Sequence, residues 1–174
     1  VLPVKDVQWR TFPEDRVAVS EEGKLVAHPT AFFGLRSLTT TGEELTEGRH
    51  YWEVEIVAST TTLVGVCKPG LDPKRVHYRT DSMWSMYAYD GSLCGNGKYF
   101  DDPAGGFINT GDRMGILLDL DDGSLRFFKN GVEHGPGYPA GSVTGPVARA
   151  VQMLDGGDTV RLLPDAAWPA GHAP

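Results

Sequence analysis

Two apolar segments, Met114-Gly115-Ile116-Leu117-Leu118-Asp119-Leu120 and Leu125-Arg126-Phe127-Phe128, flank the sequence Asp121-Asp122-Gly123-Ser124. An Asp-Gly pair supplies the positive φ angles that a tight reversal requires, so this stretch predicts a β-hairpin. The same period recurs elsewhere. Tyr51-Trp52-Glu53-Val54-Glu55-Ile56-Val57 alternates large apolar and charged side chains, as a strand with one wet face must. Leu63-Val64-Gly65-Val66-Cys67 is a short continuous apolar run, consistent with a strand buried on both faces. Lys129-Asn130-Gly131-Val132 repeats the turn chemistry one strand later, and Val147–Val151 and Thr159–Leu163 read as two further strands around Asp155-Gly156-Gly157-Asp158. Amphipathic stretches of ten or more residues at helical spacing are absent. Several short strands at close spacing predict an all-β antiparallel sandwich.

At 174 residues the chain is the size of one domain, large enough to bury about 70% of its unfolded surface. We expect a single sandwich over residues 1–164, followed by an Ala- and Pro-rich tail over 165–174 that hangs loosely, with Trp168 able to pack back. No apolar run approaches the ~20 residues that span a bilayer, and no signal-like segment opens the chain. The 16 basic and 23 acidic residues give a formal charge of −7, with the positive residues scattered. The best local cluster is Lys74, Arg75, His77 and Arg79, which argues against a nucleic-acid partner. Cys67 and Cys94 each sit beside apolar residues, which predicts buried thiols and an intracellular, cytoplasmic setting.

Catalytic and metal motifs fail one by one. Gly91–Lys98 has Ser92 and Tyr99 where a phosphate loop needs glycine and a hydroxyl residue, so the turn reading stands. Asp119, Asp121 and Asp122 have the wrong spacing for a calcium loop and enclose Leu120. Asp119 is read as a strand-end residue and the other two as turn formers. The histidines at 28, 50, 77, 134 and 172 show no metal spacing, and no nucleophile elbow occurs. The expectation is a non-enzyme with no catalytic residues, cofactor or metal.

Four landmarks in order resemble one family. Gly48-Arg49-His50-Tyr51-Trp52-Glu53-Val54, the aromatic strand Trp84-Ser85-Met86-Tyr87-Ala88-Tyr89-Asp90 followed by Gly97-Lys98-Tyr99, the segment Asp119–Gly131, and Pro146-Val147 before a strand are similar to the SPRY (B30.2) family across roughly residues 12–163. The resemblance implies a bent, two-layer sandwich that acts as a protein-interaction module. Such a module would bind a peptide or protein surface with loops at one rim, as the recognition or scaffold part of a larger protein such as a ubiquitin ligase. The landmarks themselves read as structure: Trp52 as a core anchor, His50 as a satisfied core or edge histidine, and Phe127 and Phe128 on opposite faces.

Binding residues are therefore sought in loops. His28-Pro29-Thr30-Ala31-Phe32-Phe33-Gly34-Leu35-Arg36 carries two adjacent phenylalanines, from which Pro29, Phe32, Phe33 and Arg36 are taken as candidates. Val76-His77-Tyr78-Arg79 sets an aromatic ring beside a guanidinium, and His77, Tyr78 and Arg79 join them. Val151 closes a strand, and Gln152-Met153-Leu154 is read as lying beyond it and exposing adaptable side chains; Val151, Gln152 and Met153 complete the set. The site expected is the loops at 27–36, 73–80 and 152–156, with Tyr78 an anchor whose truncation weakens binding without unfolding the domain. Compared with SOCS-box-linked members of the family, Pro29, Tyr78 and Val151 match the peptide-binding residues. Ala27 replaces an arginine and Gln152-Met153 replaces Trp-Gly, so a different ligand preference is expected. The isolated domain is expected to be a monomer with a peptide or protein ligand and no membrane contact. Two alternatives remain at this stage: a lectin-like carbohydrate binder, and a domain that packs within its own larger protein.

Overall fold

The computed structural model describes residues 6–10, 17–28, 36–58 and 61–174, and among these the regular structure is β-strand, with no α-helix. One sheet has seven strands in the order β1 (Ala18–Ser20), β2 (Leu25–Ala27), β13 (Thr159–Leu163), β4 (Arg49–Ala58), β9 (Arg113–Asp119), β10 (Ser124–Lys129) and β11 (Val132–Glu133). The other has six, ordered β3 (Ser37–Thr40), β12 (Ala148–Met153), β5 (Thr62–Cys67), β6 (Met83–Tyr87), β7 (Leu93–Gly95) and β8 (Lys98–Asp101). Every pairing between these strands is antiparallel.

Alternation along each strand decides what lies between the layers. On β4, Trp52, Val54 and Ile56 enter the core, as do Met114, Ile116 and Leu118 of β9 and Phe127 of β10. They meet Val64 and Val66 of β5, Trp84 and Met86 of β6, and Val151 and Met153 of β12. One charge enters with them: the Arg149 guanidinium lies 4.9 Å from the centre of the Trp52 ring and donates to Glu43 Oε2 at 3.0 Å. Burial pulls the Arg149 pKa down, and the bond to Glu43 opposes that pull, so the pair keeps the cation charged inside the sandwich.

The turns show where positive φ is used. Asn130 and Gly131, at φ 49° and 83°, form the two-residue connection between β10 and β11. The Asp-Gly turn differs from the expectation. Of that pair only Gly123 has positive φ, because the connection contains four residues, and Asp119 Oδ1 accepts the Asp121 and Asp122 amides at 3.0 and 3.3 Å. This satisfied turn chemistry is what the three aspartates provide there.

The tail packs on the sandwich through Trp168, the residue the sequence reading singled out as able to do so. Outward-facing Tyr51, Leu117 and Phe128 make an apolar patch on the outer face of the seven-stranded sheet, and Ala166 and Trp168 pack against it. The Trp168 ring lies 5.8 Å from Tyr51, Arg49 stacks over Trp168 at 5.3 Å, and His172 meets the Phe128 edge at 5.2 Å. Arg49 Nη2 also donates to the His172 carbonyl at 2.8 Å. The tail is a strap, because an apolar patch of that size is costly to leave wet. Trp168→Ala should lower stability in urea by roughly 1–2 kcal/mol, from lost apolar cover and the lost stacking of Arg49.

Candidate binding face

The outer face of the six-stranded sheet carries a second, smaller apolar cluster: Leu38, Leu63, Cys67, Tyr78, Met83, Cys94 and Ala150. The connection between β5 and β6, residues 68–82, folds down over it and contributes Leu71, Val76 and Tyr78. Gln152 fastens this loop. On β12 it points outward, and its Oε1 accepts the amides of His77 at 2.9 Å and Tyr78 at 3.1 Å. Its Nε2 donates to the Arg75 carbonyl at 2.8 Å. Further bonds hold the loop ends: Leu38 N to Pro73 O at 2.9 Å, Asn96 N to Thr80 O at 2.9 Å, and His77 Nε2 with Asp72 O at 2.7 Å. A short polar side chain reading three backbone groups of a loop is a preorganising device, since it fixes what the loop displays.

Several expected contact residues are consequently interior. Tyr78 is 2% exposed and His77 is buried, because the loop packs them against the sheet. Val151, Gln152 and Met153 are fully buried within β12, which runs two residues further than the sequence reading gave it. The expectation that Gln152 and Met153 expose adaptable side chains is corrected: Met153 fills the core between the layers and Gln152 is the clamp. The expectation for Tyr78 changes in the same way, since truncating it would remove packing. Arg36 and Arg79 are exposed. Pro29, Phe32 and Phe33 lie outside the described residues.

What the loop does display is Arg79. Its guanidinium lies 5.3 Å from the Tyr78 ring centre and 5.3 Å from that of Tyr99, bridging loop and edge strand. From there a row of aromatic rings runs along the β6–β8 side of the sheet. Tyr78 meets Phe100 at 5.9 Å, Phe100 meets Tyr87 at 5.2 Å, Tyr87 meets Tyr89 at 5.9 Å, and Tyr89 meets Phe107 at 5.0 Å. Neighbouring residues on a regular strand point to opposite faces, yet the Tyr99 and Phe100 rings are 5.0 Å apart. Phe100 achieves this with φ at 53°, next to a register shift between β7 and β8. A strained backbone at an edge strand thus brings two aromatics to one side, a distortion of the kind concentrated at functional surfaces.

The row is unusual for its exposure. Four large hydrophobic residues are exposed among the described residues, and three of them, Tyr89 (47%), Tyr99 (56%) and Phe107 (49%), are in it. The Tyr87 hydroxyl pKa is raised, chiefly by burial and then by the nearby Asp155 and Asp90 carboxylates. Sequence reasoning missed Tyr87, Tyr89, Tyr99, Phe100 and Phe107 as a group. The signal available was Tyr87-Ala88-Tyr89, whose two tyrosines must share a face on an extended chain.

Comparison with known proteins places this architecture. The family model described as "SPRY domain" matches residues 49–163, from β4 to the end of β13. The chain belongs to the SPRY domain family. Human tripartite motif-containing protein 64B is 28% identical over 159 residues, covering 82% of this chain and 31% of that protein. Rat E3 ubiquitin-protein ligase TRIM11 is 33% identical over 98 residues, covering 49% of this chain and 18% of that one. Mouse butyrophilin subfamily 1 member A1 is 33% identical over 94 residues, covering 49% of this chain and 16% of that one. The chain therefore spans less than a third of the curated relatives it matches. Among solved structures, the SPRY domain of human HERC1 superposes with a TM-score of 0.73 at 24% identity, covering 88% of this chain and 95% of that one. The TRIM65 PSpry domain gives 0.68 at 21%, covering 90% of both.

The SPRY landmarks prove to be scaffold. Trp52, Phe127 and Trp84 fill the core, Phe128 lies under the tail, and His50 Nε2 pairs with the Glu47 carbonyl at 2.8 Å. The two cysteines are also scaffold. Burial pushes the Cys67 thiol up to about 12 and the Cys94 thiol up to about 11, so neither is ionised near neutrality. Maleimide labelling at pH 8 should leave both thiols unmodified in the native domain and modify both in 6 M guanidinium, read by intact mass.

Proposed function

We propose that this SPRY domain is a non-catalytic recognition module that binds a partner polypeptide on the outer face of its six-stranded sheet. The observation that carries this reading is the exposed aromatic row ending at Arg79, built on a rigid sheet and a clamped loop. Tyrosine and arginine give large contact area with directional bonding at low ordering cost, which is why they dominate interface hot spots. Arg36, immediately before β3, extends the same face toward β12, two residues from Leu38, which belongs to the outer cluster and pairs with Gln152. The family membership and the E3 ubiquitin-protein ligase among the relatives support a recognition role inside a longer protein, with any ligase chemistry carried by other domains. Two buried thiols with raised pKa values fit a reducing, intracellular compartment.

The test is quantitative affinity capture with the domain and a Tyr89→Ala/Tyr99→Ala double variant, followed by mass spectrometry. Both residues are about half exposed, so the double variant should keep its melting temperature while losing specific partners by roughly tenfold or more. An unchanged set of partners at unchanged abundance would overturn the assignment of the face.

A further inference from the structure

The two ends of the aromatic row differ in charge. At one end Arg79 already covers Tyr78 and Tyr99, which shows that these ring faces accept a guanidinium. At the other end lie Tyr87, Tyr89 and Phe107, and no cation–π pairing among the described residues places a cation of this chain on them. Two carboxylates lie beside Tyr87. Asp90 is in the β6–β7 turn, where the Gly91 amide donates to the Tyr87 carbonyl at 2.9 Å. Asp155 is just past β12, whose Gln152 pairs with Leu63, the β5 partner of Tyr87. After burial, both raise the Tyr87 pKa. Other charges nearby are matched: Lys98 pairs with Asp102 at 2.7 Å and Arg75 with Asp72 at 3.5 Å. Lys129 donates to the Phe107 carbonyl at 2.8 Å and faces Asp112 at 3.8 Å. Asp90 and Asp155 are in no ion pair among the described residues, and Asp90 spends one oxygen on the Ser92 amide at 2.9 Å. The −7 balance of the chain adds to the same field.

We propose that the Tyr87–Tyr89–Phe107 end of the row seats a basic side chain, arginine or lysine, of the partner polypeptide, over the ring faces and toward the Asp90 and Asp155 carboxylates. This rests on the reading of the face given above and names the chemistry that it selects. Tyr87 and Tyr89 lie at 33° to one another and Phe107 stands at 67° to Tyr89, so the rings offer both a floor and a wall. Aromatic faces attract a cation through the ring quadrupole, and carboxylates at the rim add long-range attraction and exclude acidic competitors.

The experiment is selection of random twelve-residue peptides displayed on phage against the wild-type domain, followed by fluorescence polarisation of the individual selected peptides. The expected result is enrichment of arginine or lysine at one fixed position. Replacing that residue by glutamine should weaken binding roughly tenfold, and Tyr89→Ala should do the same. Asp155→Asn should weaken it roughly threefold and flatten its dependence on salt. Selected peptides without a basic position that still require Tyr89 would overturn the chemistry while leaving the face intact. Peptides indifferent to Tyr89→Ala, or no enrichment at all, would overturn the inference at the level of the site.

Discussion

Gln152→Ala is expected to cost roughly 3–5 kcal/mol, although the side chain is fully buried and displays nothing at the surface. The substitution leaves the buried His77 and Tyr78 amides without their acceptor and the part-buried Arg75 carbonyl without its donor. Each unsatisfied buried group costs about 1–3 kcal/mol, partly offset where the loop swings out to reach water. Two measurements check this. Urea unfolding should show the drop in stability, and hydrogen exchange should show the His77 and Tyr78 amides losing protection ahead of β12 and β5. If the loop keeps its protection, Gln152 is not the clamp, and the order of residues 72–80 has another origin.

Trp52→Ala is expected to be of the same size or larger, about 3–5 kcal/mol, against a total stability of about 5–15 kcal/mol for a domain of this kind. The indole is fully buried between the sheets, so its removal leaves a large cavity on β4. It also uncovers Arg149, whose charge is stabilised inside the sandwich by the ring and by Glu43. Trp52→Phe should cost less, since it fills part of the space and keeps a face for the guanidinium. Thermal unfolding of the three proteins gives the ranking wild type, Trp52→Phe, Trp52→Ala. Equal losses for the two variants would mean that the Arg149 contact contributes nothing.

The architecture was legible because period-two alternation and turn chemistry act locally. Trp52, Val54 and Ile56 alternate with Tyr51, Glu53 and Glu55, and that pattern alone separates the core face of β4 from its other face. Phe127 and Phe128 had to divide between two environments for the same reason. The binding face was much less legible, because it depends on which strands become neighbours. Gln152 reads as a loop residue until β12 is extended by its pairing with β3 and β5. Tyr78 reads as a displayed ring until the loop is seen packed on Leu63 and Met83. Tyr87, Tyr89, Tyr99, Phe100 and Phe107 come from separate segments, and only a sheet edge distorted at Phe100 brings them into one row. The tail was only partly legible: its Ala and Pro composition is that of a linker, and Trp168 alone marked it for the patch that Tyr51 and Phe128 leave.

Site-specific photo-cross-linking asks most directly which face of this SPRY domain meets its partner. A benzophenone amino acid is placed either at position 99, on the exposed edge of the six-stranded sheet, or at position 126, exposed on the seven-stranded sheet. Irradiation in cell extract should give discrete adducts with another polypeptide from position 99 and none from position 126. Adducts from position 126 alone, or the same adducts from both, would contradict the account.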